Sequence, residues 1–254
     1  MKKNNGRRCS GQILVLAVLV VSLVLLSTQL YIYEVGRSLE EIGSMRVNDF
    51  VLAIKLGSKH AVTGSLANIS AGGDGSVLFA NLEGWASFTG GFYQFGKPVL
   101  NFTLRNTLPY TNGTHLSWGT DGFGVSSAYA DFNFSLSDSQ VDVQLPYAVN
   151  VTTSLVVEGV YRTLEGSVKQ INVTCNVLNE GTPALAENLT VLYYSGSWLR
   201  ADEQTSYAFT DYGNGTYLIS FEADVPEENV NVSAQVYDLR EIYVQANAVC
   251  TSVT

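Results

Sequence analysis

The chain has 254 residues, a formal net charge of −9 and a charged fraction of only 15%. This acidic balance argues against a nucleic-acid partner and against binding to anionic lipid surfaces, because both need a basic protein surface. The length allows one or two folded domains in addition to an N-terminal segment.

The N-terminal segment is an uncharged, mostly aliphatic run from Cys9 to Tyr33. About 20 apolar residues cross the hydrocarbon core of a bilayer as a helix, which also satisfies the backbone hydrogen bonds. We therefore expect a transmembrane helix at residues 12–33, in contact with membrane lipid. Four cations precede it: Lys2, Lys3, Arg7 and Arg8. They favour a single-pass protein of the cell membrane with a cytoplasmic N-terminus and extracytoplasmic C-terminal domains.

Three interpretations of this segment remain open. A cleaved secretory signal would end in small residues, and the run has no Ala-x-Ala exit. A permanent signal anchor would keep the whole segment. In the third, the basic leader 1–11, the sequence Ser10-Gly11-Gln12 and the unbroken aliphatic helix resemble the N-terminus of archaeal type IV pilin-like surface proteins. The resemblance implies cleavage between Gly11 and Gln12 and assembly of identical subunits into a filament, or pilus.

Residues 34–92 are expected to form an extracytoplasmic helical region. Apolar residues such as Leu39, Ile42 and Ile54 follow three- and four-residue steps, which predicts an amphipathic helix. The glycine-rich run 71–76 should break it, and Asp74 or Ser76 should cap a second helix. Four residues are expected on one face of that second helix: Leu78, Leu82, Trp85 and Phe88.

From Pro98 onward the hydrophobic period changes to two, which predicts half-buried strands. We expect a first β block at residues 93–165 and a β-sandwich at residues 166–254. The stretches 173–181 and 186–191 resemble immunoglobulin-like adhesion modules of prokaryotic surface proteins. The predicted fold class is therefore α+β, with an N-terminal transmembrane, pilin-like long helix followed by antiparallel, immunoglobulin-like β-sandwich modules.

Two cysteines of the exported part, Cys175 and Cys250, fall on the apolar sides of their predicted strands. A disulfide between them would close a loop of about 75 residues and stabilise the domain by about 3–4 kcal/mol on a chain-entropy argument. The alternative is two buried free thiols, which pack as small hydrophobic groups. Cys9 belongs to the leader.

The Asn-x-Ser/Thr acceptor motif for N-glycosylation occurs nine times, whereas composition alone would give about three. The acceptors are Asn68, Asn101, Asn112, Asn133, Asn150, Asn172, Asn188, Asn214 and Asn231. In a strand, the asparagine and its hydroxyl residue share a face, and the apolar residue between them points to the other. We therefore expect these motifs on the solvent side of the sheets. The alternative is that alternating Asn and Thr merely suits an exposed strand.

Residue patterns that indicate catalysis or cofactor binding are weak, and no catalytic, cofactor-binding or metal-binding residue is predicted. His60 and His115 are expected on the surface. The glycine-rich runs 72–75 and 119–124 are interpreted as turns because neither joins a strand to a helix as a phosphate loop does. Two acidic pairs could bind Ca²⁺ weakly through oxygen ligands but are interpreted as solvated acids: Asp138 with Asp142, and Glu227 with Glu228.

These features favour a non-enzymatic, membrane-anchored extracellular glycoprotein that acts as a pilin-like structural or adhesive surface subunit. The first alternative is a monomeric anchored module that binds a surface polysaccharide or protein, for which Trp118 or Trp198 could stack on a sugar. An anchored hydrolase is the third hypothesis. No cofactor and no nucleic-acid partner are expected.

Overall fold

The structure, a computed structural model, describes residues 26, 27, 29, 30, 47–92, 97–119, 121–137 and 142–253. The chain divides into two compact units, Met1–Lys55 and Leu56–Thr254. In the first unit the described residues are 26, 27, 29, 30 and 47–55, and all of them are helical. None of the described helices has both the length and the apolar character needed to cross a bilayer. Most of the predicted transmembrane segment 12–33, and both residues of the predicted cleavage site, Gly11 and Gln12, lie outside the described residues.

Two helices precede the strands in the described part of the chain. Helix α1 covers residues 47–70, and helix α2 is Val77–Phe92. The Oδ1 atom of Asp74 accepts a hydrogen bond from the backbone N–H of Ser76 at 2.7 Å, just before α2 begins. This backbone hydrogen bond is the main reason that the pKa of Asp74 is lowered. The predicted cap and second helix are therefore confirmed.

Twelve strands follow α2 in the described residues. Their bounds are β1 Lys97–Leu104, β2 Thr114–Trp118, β3 Phe123–Ser137, β4 Asp142–Glu165, β5 Val168–Asn179, β6 Thr182–Pro183, β7 Ala186–Ser195, β8 Ser197–Arg200, β9 Ala208–Asp211, β10 Thr216–Asp224, β11 Val230–Asp238 and β12 Tyr243–Ser252. They form one sheet in the order β8-β7-β11-β12-β4-β5-β10-β9, with β1 and β2 paired to β3, β3 to β4 and β6 to β5. Every pairing is antiparallel except a short parallel contact between β12 and β4.

Strand β4, 24 residues long, connects the two halves of this sheet. Its first part, Asp142 to Val156, pairs with β3, and its second part, Thr153 to Glu165, pairs with β5. The turn between β4 and β5 contains Gly166, whose φ is +61°. The predicted boundary near residue 166 is therefore a hairpin turn inside one sheet.

One face of β4 is covered by two different layers. Along its first part, the hydroxyl of Tyr147 makes a 2.8 Å hydrogen bond with the hydroxyl of Ser58 on α1. The indole Nε1 of Trp85 on α2 donates to the same Ser58 oxygen at 3.0 Å. Further along, Leu155, Val157 and other apolar residues of β4 belong to a core shared with β5, β7, β10, β11 and β12. The sheet therefore curls so that its two arms face each other across that core.

The predicted fold class is wrong. The described part of the chain is mostly β, with 55% of its residues in strands and 23% in helices, and its strands form one curled sheet. The described residues are not a long N-terminal helix followed by immunoglobulin-like sandwich modules, because their strands join in one sheet. The individual strands follow the predicted alternation, since Phe132, Phe134 and Leu136 of β3 are buried between exposed or half-buried neighbours.

The edge of β12 that does not pair with β11 is held by the loop before β3. The N–H of Gly122 donates to the carbonyl of Asn247 at 2.8 Å, and the N–H of Asn247 donates to the carbonyl of Gly119 at 3.0 Å. Gly124 lies so close to the carbonyl oxygen of Gln245 that a Cβ at this position would collide with it. This contact closes the curl of the sheet.

A buried carboxylate also ties the two arms together. Asp238, at the end of β11, has no exposed side-chain surface. Its Oδ2 accepts hydrogen bonds from the hydroxyl of Thr153 on β4 at 2.8 Å and from Nε of Arg240 at 2.9 Å. The backbone N–H groups of Arg240 and Ile242 donate to its Oδ1. Arg240 also reaches Glu180, with 2.6 Å between Nη1 and Oε1.

Substituting alanine for Gly124 should lower the free energy of unfolding by about 1–3 kcal/mol, because the Gln245 carbonyl is backbone and cannot rotate away. Urea denaturation monitored by circular dichroism measures this. The control is Gly84→Ala on α2, where no heavy atom lies within 4 Å of the new Cβ. It should stabilise the protein by about 0.5–1 kcal/mol. Equal unfolding midpoints for the two variants would contradict the proposed closing contact.

Asp238→Ala should lower the free energy of unfolding by about 3–5 kcal/mol, because it removes the buried counter-ion of a partly buried arginine and leaves the buried hydroxyl of Thr153 without its acceptor. The matched control is Asp211→Ala, since Asp211 is exposed and its Oδ1 accepts one local hydrogen bond from Gly213. The control should cost about 1 kcal/mol or less. A loss at Asp238 no larger than that of the control would refute this role of the carboxylate.

Candidate functional site

Six of the nine predicted acceptor asparagines lie on strands, on the outer faces of the sheet. Four of them, Asn101 on β1, Asn133 on β3, Asn150 on β4 and Asn172 on β5, follow one another across one arm. The first three are exposed and Asn172 is half-buried. They share this outer face because the residues next to them in sequence turn inward, as the period of a strand requires.

Two of these acceptors are direct cross-strand partners. Asn101 stands opposite Asn133 in the antiparallel ladder between β1 and β3. Residues in such positions have their Cα atoms about 4.5–5.5 Å apart. Their amide groups are therefore neighbours on the same face.

The other arm carries two acceptors on its outer face. Asn188 on β7 is exposed, and Asn231 on β11 is half-buried. The residues that follow them are Leu189, packed against the core, and Val232, which is fully buried. The remaining acceptors lie at two turns and on a helix: Asn112, Asn214 and Asn68, all of them exposed.

An N-linked sugar is attached to Nδ2 of the asparagine, so the hydrogen bonds made by this atom bear on whether the asparagine could carry a sugar. Within the described residues, none of the nine acceptor amides donates a hydrogen bond from Nδ2. Where a side chain is engaged, its oxygen is the atom used. The Oδ1 of Asn150 accepts from the hydroxyls of Tyr110, Ser127 and Thr152, and that of Asn214 accepts from a backbone N–H.

The two exported cysteines are buried and unbonded in this structure. Cys175 and Cys250 are both free thiols, so the predicted disulfide is not formed here. They belong to the same core, and Cys250 packs against Gly159 of β4 so closely that a Cβ on that glycine would collide with the sulfur. Burial raises the pKa of each thiol to about 12. Thiols of this kind are poor nucleophiles and poor metal ligands at neutral pH.

The residues weighed as catalytic or metal-binding are scattered. His60 is exposed on α1, and His115 packs edge-on against the ring of Tyr110. Asp138 lies outside the described residues, while Asp142 accepts a hydrogen bond from Ser137. In the described part of the chain no group of three or more His, Cys, Asp or Glu side chains could hold a metal ion.

Sequence reasoning missed a buried lysine. Lys169 is 6% exposed, and its Nζ donates to the backbone carbonyls of Glu227 and Glu228. The same ammonium group lies 4.7 Å from the centre of the Tyr161 ring. Its only sequence signal is its place within the apolar alternation of β5, where it occupies an inward position. This arrangement fixes the loop before β11.

The three tryptophans occupy different environments. Trp85 packs between the helices and the sheet, as its bond to Ser58 shows. Trp118 lies edge-on to Tyr243 at 5.0 Å and donates to the hydroxyl of Ser126. Trp198 is 47% exposed on β8. It is therefore the indole with the most surface open to a ligand.

Comparison with known proteins gives no family for this chain. No protein-family model matches the sequence, and no curated protein shows significant similarity to it.

Cys175 and Cys250 should be inert to a thiol reagent at pH 8 in the folded protein and should react once it is unfolded in urea. The free energy of unfolding should also decrease as the pH rises above about 8.5, because the thiols ionise in the unfolded protein but stay protonated in the folded protein. For each thiol, the free energy of unfolding should decrease by up to about 1.4 kcal/mol per pH unit. Urea titrations between pH 8 and pH 10.5 measure it, with the double variant Cys175→Ala/Cys250→Ala as control. Absence of reactive thiols at these positions after unfolding would show a disulfide instead.

Proposed function

We propose that this chain is a non-enzymatic, membrane-anchored extracellular glycoprotein that serves as a structural or adhesive subunit of the cell surface. The observation that supports this proposal is the state of the acceptor asparagines. None of the nine is buried, and no described hydrogen bond uses an acceptor Nδ2. An excess of acceptor motifs would not by itself require such placement, since an asparagine with an engaged amide would still satisfy the sequence pattern.

The positions of the acceptor asparagines would also divide the protein surface into faces covered by glycans and faces left open for contact with other proteins. Glycans on Asn101, Asn133, Asn150 and Asn172 would cover one outer face, and those on Asn188 and Asn231 would cover the face of the other arm. Bulky, hydrated sugars at these positions would obstruct proteases and other proteins. Contacts with further subunits would then use the unmodified surface.

The membrane anchor and the N-terminal processing belong to the same proposal. The aliphatic run at residues 12–33 would retain the protein at the membrane, and a pilin-type peptidase would remove residues 1–11 by cutting between Gly11 and Gln12. Cys9 would leave with the leader. The mature chain would then contain two cysteines, Cys175 and Cys250.

Mass spectrometry of protein purified from membranes of a glycosylating host tests the proposal. The expected intact mass lacks residues 1–11 and contains added saccharide, and glycopeptide mapping should find sugar on several acceptors. Asn172→Gln should remove one glycan. Asn176→Gln is the matched control, because Asn176 lies four residues further along the same face of β5 outside an acceptor motif.

Three outcomes separate the parts of this proposal. Unmodified asparagine at all nine positions would refute the glycoprotein assignment. A retained leader on a glycosylated chain would replace pilin-type processing with a plain signal anchor. Recovery of the protein in the soluble fraction, without detergent, would refute the anchor.

A further inference from the structure

The outer face of β7, β8, β11 and β12 contains a cleft of about 270 Å³. It lies on the side of these strands that faces away from the core, and two core residues, Val232 and Ala248, form part of its lining. The residues that line it are Tyr194, Trp198, Asn231, Val232, Asn247, Ala248 and Val249. One of its lining residues, Asn231, is an acceptor asparagine.

One wall of the cleft is aromatic. Tyr194 and Trp198 are cross-strand partners on β7 and β8, and their rings meet edge to face with centroids 5.6 Å apart. Nearly half of the Trp198 side chain remains exposed. Aromatic rings that are packed on one side and open on the other are low-entropy surfaces for stacking against a flat apolar ligand face.

The opposite side of the cleft is an amide surface. The Nε2 atom of Gln245 donates to the Oδ1 of Asn247 and to the hydroxyl of Ser233, both at 3.2 Å. The bond from Gln245 fixes the orientation of the Asn247 amide, whose Nδ2 donates no hydrogen bond among the described residues. An amide can both donate and accept hydrogen bonds. A pyranose ring presents an apolar C–H face and a rim of hydroxyls, so a wall of rings beside fixed amides suits a saccharide.

The position of Asn231 decides which saccharide can occupy the cleft. Val232 pairs with Tyr193, so the register places Asn231 beside Tyr194, and its partner on the other side is Val249. In the described residues no hydrogen bond engages its side chain. A sugar attached to Nδ2 would begin inside the cleft, within reach of Trp198.

We propose that the Tyr194–Trp198 cleft binds the glycan attached to Asn231 of the same chain, with the first sugars stacked on Trp198. This inference rests on the proposed glycosylation. Covalent attachment gives the glycan an effective concentration in the millimolar range, which a free polysaccharide would have to exceed. The glycan therefore fills the aromatic cleft and covers the apolar surface of Trp198 and Val249.

The other acceptors provide an internal comparison. Asn172 is also half-buried on a central strand, but its cross-strand neighbours are Val160 and Ser220. A glycan there would have no paired aromatic rings beside its attachment point. Asn172→Gln is therefore the matched control for Asn231→Gln.

The experiment uses the full glycosylated chain and compares wild type, Asn231→Gln, Asn172→Gln, Trp198→Ala and the double variant Asn231→Gln/Trp198→Ala. Acrylamide quenching of tryptophan fluorescence should increase in Asn231→Gln and stay unchanged in Asn172→Gln, because only the first exposes Trp198. In thermal unfolding, Trp198→Ala should lower the Tm by about 2–4 °C more in the glycosylated background than in the Asn231→Gln background. This difference in Tm is the coupling between Trp198 and the glycan, and it should be absent in protein from a host without N-glycosylation.

Each result has a defined meaning. Sugar on other acceptors with Asn231 unmodified would overturn the inference while leaving the proposed function intact, whereas no sugar at any acceptor would remove both. Modified Asn231 with neither coupling nor a quenching change would also overturn it. Oligosaccharide released from the protein provides a further arm. When this oligosaccharide is added, NMR chemical-shift changes of cleft residues in Asn231→Gln but not in wild type would support the proposal. Equal changes in both proteins would identify an external saccharide as the occupant.

Discussion

The structure depends on the continuity of β4. The inward side of this strand is buried from Val149 to Tyr161. Helices cover the first half of the strand, and the opposite arm of the sheet covers its second half. At the point where the cover changes, Thr153 is buried and its hydroxyl is bonded to the carboxylate of Asp238. Both arms are therefore held by one strand and one buried carboxylate.

The same geometry creates the outer surfaces on which the proposed function rests. Because the inward residues of each strand are committed to a core, the outward ones are free to be polar without loss of packing. Asparagine and threonine fill these positions on both arms, and the amide nitrogens stay unbonded in the described structure. A surface with this character is favourable for attached sugar.

The sequence was sufficient to predict the strands, because a half-buried strand must turn every second side chain inward and Phe132, Phe134 and Val151 do so. It was not sufficient to predict that β4 pairs with strands of both predicted blocks, β3 of the first and β5 of the second. The buried polar residues Thr153 and Ser154 interrupt the apolar alternation of β4, so the pattern does not reveal one continuous strand. The aromatic cleft could not be predicted either, since Trp198 meets its partners only through the register of four strands. The outward orientation of the strand acceptors could be predicted without tertiary information, because the asparagine and the Ser or Thr of the motif are two residues apart and share one face of a strand.

The facing arrangement of Asn101 and Asn133 limits how the outer surface can be decorated. Branched sugars on both amides would crowd each other, so a sugar on one asparagine would lower the occupancy of the other. A population of such chains would then contain positional isomers of identical mass, which differ only in whether the edge strand or its inner neighbour bears the sugar. On the edge strand, that sugar would also shield the unpaired backbone groups of β1 from lateral association with another sheet.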